Sequence, residues 1–491
     1  MNICSHQFIL IFVPIVIITY YNAYRVKGAI ASKYELLAVS MFFYVSTSIQ
    51  AFALLLIEAF VTYWLSSRAS HYAKKNIQHI DKKKLMLTFA ITMQLAVLLV
   101  FKYFNFFIST INPILHTEIS TLNLLVPLGI SFFTFQQIAF SVDMYRGEIE
   151  EVNVVDYLIF SFLFITISSG PIIYYNELIT QLNREDNYRA NYENLYRGLI
   201  LFFIGLCKKI LVANVFANAV NAGYEDLYSY GTLNAMIISL CYTFQIYFDF
   251  SGYCDMGLGV ARMLNIDLPL NFNSPYKAFT IAEFWDRWHI TLTRFFTKYV
   301  YIPLGGSRKG KIRTYINIFI IFFLSGLWHG ADMKFIIWGV LHGLMMIAYR
   351  MFRKCIDKWH PAFNWIFTFS FVNLAWVYFG APSRAMANTL ISKIVMYSPG
   401  AINTDVSAQF IGKGVGFIAS LAGIDVAERF PNILMVLYLF GAFFVILCCR
   451  NSYEYTNECE IKLSHALAIA FLAILSICSL TGTISFVYQY F

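Results

Sequence analysis

Apolar runs long enough to cross a lipid bilayer recur along almost the whole chain, separated by short polar segments. A helix needs about 20 apolar residues to span the hydrocarbon core. The alternation over about ten residues that marks outer-membrane barrels is absent, so helices are the predicted spanning elements. The candidate spans lie near residues 8–22, 34–66 (long enough for two), 85–108, 122–144, 154–175, 195–218, 232–253, 313–328, 334–352, 363–380, 431–449 and 463–482.

This pattern predicts an all-α polytopic bundle of about eleven to thirteen spans, in which hydropathy alone does not separate full spans from re-entrant half-helices. Composition agrees, because 59% of the 491 residues are hydrophobic and 13% are charged, against about 25% charged in soluble domains. No internal repeat or long polar linker marks a boundary. We therefore expect one integral membrane domain over residues 1–491.

The positive charge indicates topology and not nucleic-acid binding. The net charge of +8 comes from basic residues in short connecting segments, such as the lysine-rich segment 67–85. By the positive-inside rule that segment is cytoplasmic and the N-terminus lies outside. The nine cysteines show no Cys-x-x-Cys spacing, so neither a metal site nor a disulfide framework is predicted.

Polar residues within apolar sequence concentrate between about residues 245 and 343. Each uncompensated ionisable side chain in hydrocarbon costs roughly 2.5 to 3.5 kcal/mol, which makes such residues candidates for a functional site. Asp249 and Asp255, with two glycines, interrupt the end of an apolar helix. They are either helix caps or part of a substrate-binding cavity wall with unwound backbone.

A short amphipathic or re-entrant helix is predicted around Trp285, Arg287 and His289. Glu283 and Arg287 are four residues apart, as are Trp285 and His289, so each pair shares a helix face. His289 is either an interfacial structural histidine or one that positions substrate or handles protons. The loop 301–313 that follows combines glycines with basic residues, which indicates a cytoplasmic loop or a phosphate cradle.

Two further histidines lie at or within apolar runs. Trp328 and His329 follow about 15 apolar residues, and glycines flank the pair. A desolvated imidazole favours the neutral form that a general base needs, although a helix-end histidine bonded to backbone fits the same position. His342 lies inside a run, where packing or helix bonding competes with a substrate-binding role. No Gly-x-Ser-x-Gly elbow, His-Glu-x-x-His pair or Walker sequence appears.

Four ordered phrases carry a family resemblance. They are Phe284–His289 (FWDRWH), Tyr301–Gly306 (YIPLGG), Gly326–Ala331 (GLWHGA) and Trp338–Gly343 (WGVLHG). The supporting phrases are Val126–Gln136, Ser169–Ile172 and Phe248–Tyr253. With these phrases the chain resembles the membrane-bound O-acyltransferase superfamily, in the bacterial branch that contains alginate O-acetyltransferase.

The resemblance implies a helical bundle around a funnel or tunnel, in which an acyl group passes to an acceptor hydroxyl. It makes His329 the essential histidine and His289 the second polar site residue. Two departures stand out. Tyr174 and Tyr175 occupy a region where the family often has a basic residue, and Thr291 replaces the usual serine.

We therefore expect a multi-pass enzyme of the bacterial inner membrane that moves an acetyl group from a cytosolic donor toward an exported polysaccharide such as alginate. Acetyl-CoA or another acyl donor is expected as substrate, with no bound cofactor. The expected partners are the bilayer, the donor and the glycan, with an extracytoplasmic transfer protein if the transfer is relayed, but no nucleic acid. Peptidoglycan O-acetylation and teichoic acid D-alanylation are close alternatives. A transporter or flippase is a distant one, because inverted repeats are not visible.

Overall fold

Helices form nearly all the regular structure of the residues that the computed structural model describes. Those residues are 3–75, 80–122, 124–167, 170–411, 431–460 and 462–480. Apart from helices, they contain one isolated antiparallel β-bridge, between Phe272 and Trp288. The predicted all-α class is confirmed. Ser169, part of one supporting phrase, lies outside the described residues.

The helices are numbered here in chain order. The first eleven are α1 (Val13–Lys27), α2 (Ala29–Val45), α3 (Ile49–Lys75), α4 (Ile80–Leu98), α5 (Phe104–Leu115), α6 (Ile130–Arg146), α7 (Val154–Phe162), α8 (Tyr175–Leu182), α9 (Tyr192–Cys207), α10 (Asn214–Glu225) and α11 (Thr232–Met263). The next ten are α12 (Ile281–Arg287), α13 (Ile290–Phe296), α14 (Lys311–His329), α15 (Met333–Ile356), α16 (Pro361–Gly380), α17 (Arg384–Val395), α18 (Thr404–Ala408), α19 (Pro431–Cys448), α20 (Ser452–Glu458) and α21 (Leu463–Cys478). Wider π-helical turns occupy Phe8–Phe12, Leu99–Tyr103, Lys208–Ala213 and Thr297–Tyr301.

Seven helical segments in the described ranges are long and apolar enough to cross a membrane, and eight if the bent pair α19–α20 counts as one. The sequence pattern predicts more because it counts apolar runs that fold otherwise. Helix α7 has only 9 residues, and α2 and α6 have 17 each. Helix α11 is buried along most of its 32 residues within the protein.

Helices α9 and α11 pack closely in the core, and two glycine contacts permit it. A Cβ atom on Gly205 would lie 2.5 Å from the carbonyl oxygen of Gly252. A Cβ on Gly198 would lie 2.6 Å from the carbonyl oxygen of Gly259. Small residues of this kind let membrane helices approach until their backbones touch. The backbone of α11 is therefore fixed against α9.

Several helix ends that carry basic residues lie near one another. Lys277 donates a hydrogen bond to the carbonyl of Cys449 at 2.7 Å, and the Trp365 indole donates to the carbonyl of Tyr276 at 2.9 Å. These contacts bring the end of α19 and the start of α16 together, and the end of α15, with Arg353, precedes α16. We call this group of helix ends, which carries Lys277 and Arg353, the basic face. The positive-inside rule predicts that this face is cytoplasmic.

The glycine contact predicts a stability change. Gly205→Ala places a methyl group against backbone atoms of α11 that cannot move without separating the helices. We expect a loss of about 1–3 kcal/mol, the usual range for overpacking, seen as a lower midpoint in thermal unfolding of detergent-solubilised protein. Gly441→Ala is the matched control, because no atom of the described residues lies within 4 Å of its Cβ position. Equal midpoints for the two variants would contradict the packing argument.

Candidate active site

Close packing of α14 against α15 positions the last residue of α14, His329. A Cβ on Gly326 would lie 2.4 Å from the carbonyl oxygen of Phe335, and one on Gly339 would lie 2.3 Å from that of Phe322. Two glycines of the family phrases thus serve helix contact. After His329 the chain turns away in an extended conformation at Gly330 and enters α15 three residues later.

The imidazole of His329 is buried among aromatic rings. Its side chain is 2% exposed. Its ring centroid lies 4.7 Å from that of Trp328, 5.0 Å from that of Trp338 and 5.0 Å from that of Phe379. Apolar walls on several sides exclude water, which strengthens any charge interaction within the pocket.

His289 occupies a strained turn between α12 and α13. Its φ angle is 45°, in the left-handed region that residues other than glycine rarely adopt. Backbone pairing holds the turn, because the Ile290 N–H donates to the carbonyl of Asn271 at 3.0 Å and the Asn273 N–H donates to that of Arg287 at 3.0 Å. Strain of this kind clusters at functional sites. The side chain is fully buried.

The three predicted histidines belong to one aromatic cluster, with a tryptophan beside each neighbouring pair. The Trp328 ring lies 4.7 Å from His329 and 6.2 Å from His289. The Trp338 ring lies 5.0 Å from His329 and 4.9 Å from His342. Residues that are far apart in sequence are therefore brought together around Trp328 and Trp338. We call this group the His–Trp cluster.

His342 and Trp285 bond to each other at one end of the His–Trp cluster. The Trp285 indole N–H donates to His342 Nδ1 at 3.3 Å. Because Nδ1 accepts, a neutral His342 ring carries its proton on Nε2. The contact agrees with the packing interpretation of His342, while the Trp285 ring also lies 5.8 Å from that of Trp338.

Asp249 and Asp255 both lie within α11 and form buried ion pairs. Asp249 Oδ1 lies 2.5 Å from Lys209 Nζ, and Asp255 Oδ2 lies 2.7 Å from Lys208 Nζ. Continuous helix replaces the unwound backbone that the sequence pattern suggests here. The two pairs fasten α11 to the π-helical turn after α9. The adjacent residue Phe250 packs against His289, with ring centroids 5.0 Å apart.

Arg287 is part of a local structural contact at the end of α12. Its guanidinium lies 3.0 Å from Glu283 Oε1 and donates to the carbonyl of Asn273 at 3.1 Å. The predicted helical spacing of Glu283 and Arg287 is therefore present. These contacts hold the turn that carries His289.

Thr291 and Arg294 connect α13 to the segment Gly170–Ile172, which belongs to one of the supporting family phrases. The Thr291 hydroxyl donates to Asn271 Oδ1 at 2.6 Å and accepts the Ile172 N–H at 3.0 Å. The Arg294 guanidinium lies 4.2 Å from the Tyr174 ring centre. A cation from α13 thus stands beside the tyrosine where the family often has its own basic residue.

A cavity of about 430 Å³ opens between α12, α13, α14 and α15. Its lining includes Trp285, Ser325 and Tyr349, with Arg350 and Arg353 at the basic face. Asp286 also lines it, and partial burial together with Glu283 raises the pKa of Asp286 while Arg287 opposes that rise. One wall, the Trp285 indole, adjoins the His–Trp cluster through Trp338.

Several of these residues are absent from the sequence prediction. Arg350 and Arg353 lie one helical turn apart at the end of an apolar run, a spacing that marks one helix face. Lys208 and Lys209 lie within a predicted span, where any ionisable residue is a candidate for a functional site. Their carboxylate partners, Asp255 and Asp249, lie 47 and 40 residues away in sequence.

Comparison with known proteins gives a family. The model of the membrane-bound O-acyltransferase family matches residues 76–387. A peptidoglycan O-acetyltransferase of Helicobacter pylori is 36% identical over 419 residues, covering 79% of this chain and 78% of that protein. A probable alginate O-acetylase of Pseudomonas putida is 32% identical over 450 residues, 90% of this chain and 86% of the relative.

A more distant relative is the teichoic acid D-alanyltransferase of Bacillus subtilis. It is 30% identical over 266 residues, which cover 51% of this chain and 67% of that protein. The family match and the site agree, since the matched range contains every histidine of the His–Trp cluster. The chain belongs to the membrane-bound O-acyltransferase family and is a membrane O-acyltransferase.

Proposed function

We propose that the chain transfers an acetyl group from acetyl-CoA at the basic face toward hydroxyls of an exported polysaccharide, with His329 as general base. The observation that carries the proposal is the position of His329, buried at a helix end and separated by Trp338 and Trp285 from a cavity that opens at the basic face. Two tryptophan rings therefore lie between the cavity proposed for the donor and the proposed base.

The chemistry requires one proton acceptor. An acceptor hydroxyl oxygen attacks the thioester carbonyl carbon while its proton passes to the neutral imidazole of His329. The C–S bond then breaks, and the leaving thiolate takes that proton from the His329 imidazolium. General base catalysis of this kind is worth about 10²–10⁴ in rate. His289, across Trp328, orients the acceptor or relays the proton.

The cavity supports acetyl-CoA as donor. Arg350 and Arg353 place two cations at its basic end, where donor phosphates would lie. Its aromatic and apolar interior suits the uncharged pantetheine arm. No cofactor is part of this proposal, because the donor is consumed as substrate.

Two O-acetylation acceptors compete for the same chemistry. The identity of 36% to a peptidoglycan O-acetyltransferase favours peptidoglycan, while the wider coverage of 90% of this chain by an alginate O-acetylase favours an alginate-like exopolysaccharide. D-alanyl transfer is less supported, because its relative covers 51% of this chain. Transfer occurs directly or through a partner protein on the outer side of the inner membrane.

The role of His329 predicts loss of ester-linked acetate. Cells that lack the protein should regain base-labile acetate on surface glycans when they express the wild type, but not when they express His329→Ala at equal membrane abundance. We expect a fall of at least about 100-fold in transfer. His465→Ala is the matched control, since that half-buried side chain lies on α21 and its ring is 3.1 Å from the carbonyl oxygen of Glu460. Restored acetate with His329→Ala would reject the role of this imidazole.

The donor assignment predicts a change in KM. Arg350→Gln/Arg353→Gln should raise the KM for acetyl-CoA about tenfold and leave kcat within about threefold, because the lost bonds hold the phosphates and not the acetyl group. The measurement is thiol release from acetyl-CoA by membrane vesicles. Arg384→Gln, on an exposed side chain away from the cavity, is the control. An unchanged KM in the double variant would place the donor elsewhere.

A further inference from the structure

We infer that Lys102 and Tyr103 act as positioning residues that hold the end of α14, and with it His329, in the reactive geometry. The inference rests on the proposed role of His329 as base. Neither residue belongs to the four family phrases. Lys102 lies inside the membrane-crossing segment Asp81–Leu115, where an ionisable side chain is a functional candidate by default.

Both side chains leave the π-helical turn Leu99–Tyr103, which separates α4 from α5. A π-turn inserts one extra residue into the helix, and such turns are frequent at functional sites. From consecutive positions on this widened turn, Lys102 and Tyr103 both reach the end of α14. The turn thus directs two polar groups from a largely lipid-facing segment into the protein.

The two residues bind the last carbonyl groups of α14. Lys102 Nζ donates to the Trp328 carbonyl oxygen at 2.5 Å and to Ser131 Oγ at 3.0 Å. The Tyr103 hydroxyl donates to the Leu327 carbonyl oxygen at 2.7 Å and lies 3.3 Å from that of Trp328. We call these contacts the Lys102–Tyr103 clamp.

The end of α14 requires such donors. The final carbonyl groups of a helix have no N–H partner within it. The extended backbone at Gly330, with φ −177° and ψ 153°, does not close the helix with a further turn. Water satisfies such groups at a protein surface, but Trp328 is 3% exposed. A cation at this end also interacts favourably with the helix dipole.

The clamp acts on the residue next to the proposed base. The Trp328 carbonyl that Lys102 holds belongs to the peptide group that continues into His329. Rotation of that group would move the imidazole relative to Trp338 and to the acceptor. A displacement of about 1 Å at a reacting group can cost about 100-fold in rate. The Lys102 ammonium lies 5.5 Å from the Trp328 ring centre, so it also supports the wall between the two histidines.

The test is a set of variants measured for kcat, KM and membrane abundance. Lys102→Met keeps the length of the side chain and removes its donors, and we expect it to lower kcat for acetyl transfer about 10–100-fold with the KM for acetyl-CoA within twofold. Lys102→Arg should recover kcat to within about fivefold of wild type, because a guanidinium donates to the same oxygens. Lys84→Met, an exposed lysine of the same segment, is the control and should keep wild-type kcat.

Tyr103→Phe gives an independent arm, because it removes one hydroxyl without changing the packing. We expect a fall in kcat of about 3–10-fold at an unchanged membrane abundance. Lys102→Met should cause no further loss of residual activity in a His329→Ala background, since the clamp acts through that imidazole.

Wild-type kcat in both Lys102→Met and Tyr103→Phe would overturn the clamp, as would an effect confined to KM or an additive loss in the His329→Ala background. These results leave the proposed function standing as long as His329→Ala alone is inactive. Acetate transfer that survives His329→Ala instead overturns the proposed function and the clamp together. If Lys102→Met does not reach the membrane, Tyr103→Phe and Lys102→Arg decide the question by the same criteria.

Discussion

The burial of one imidazole at the end of a membrane helix is the constraint on which the rest of the structure depends. A helix that ends inside the protein leaves carbonyl groups without partners, and the neutral imidazole that the proposed reaction needs is favoured where apolar walls exclude water. Close helix contact at Gly326 and Gly339 brings α15 near enough to supply Trp338. Donors for the helix end come from the Lys102–Tyr103 clamp. The fold around His329 answers both requirements with neighbouring elements.

The two buried ion pairs of α11 hold the helical scaffold. Asp249 and Asp255 satisfy lysines of the turn after α9, and together with the glycine contacts they fix α11. Phe250 on that helix then packs against His289. Losing one partner of such a pair leaves an uncompensated charge in a medium of low dielectric constant, which is strongly destabilising. The acids that interrupt the apolar pattern therefore support the site from outside it.

Sequence patterns predict the helical class and the histidines because both depend on local signals. Long apolar runs identify membrane helices, and Trp328 with His329 stands out against such a run. Tertiary pairing does not follow from such local signals. Lys208 and Asp255 lie 47 residues apart, and the hydropathy of their runs carries no information about which acid meets which lysine. Hydropathy does not single out Lys102, because the residues around it are apolar. It also predicts α11 as a membrane span, because this buried helix has the composition of a span.

The central claim is that an acyl group supplied at the basic face reaches a hydroxyl on the other side of the His–Trp cluster. Sealed inner-membrane vesicles of known orientation test it most directly, with acetyl-labelled CoA supplied to one face only. The account predicts base-labile label on acceptor hydroxyls at the opposite face when the donor meets the basic face, and none when this protein is absent. Label that requires donor on the side away from the basic face, or label that does not depend on the protein, would contradict it.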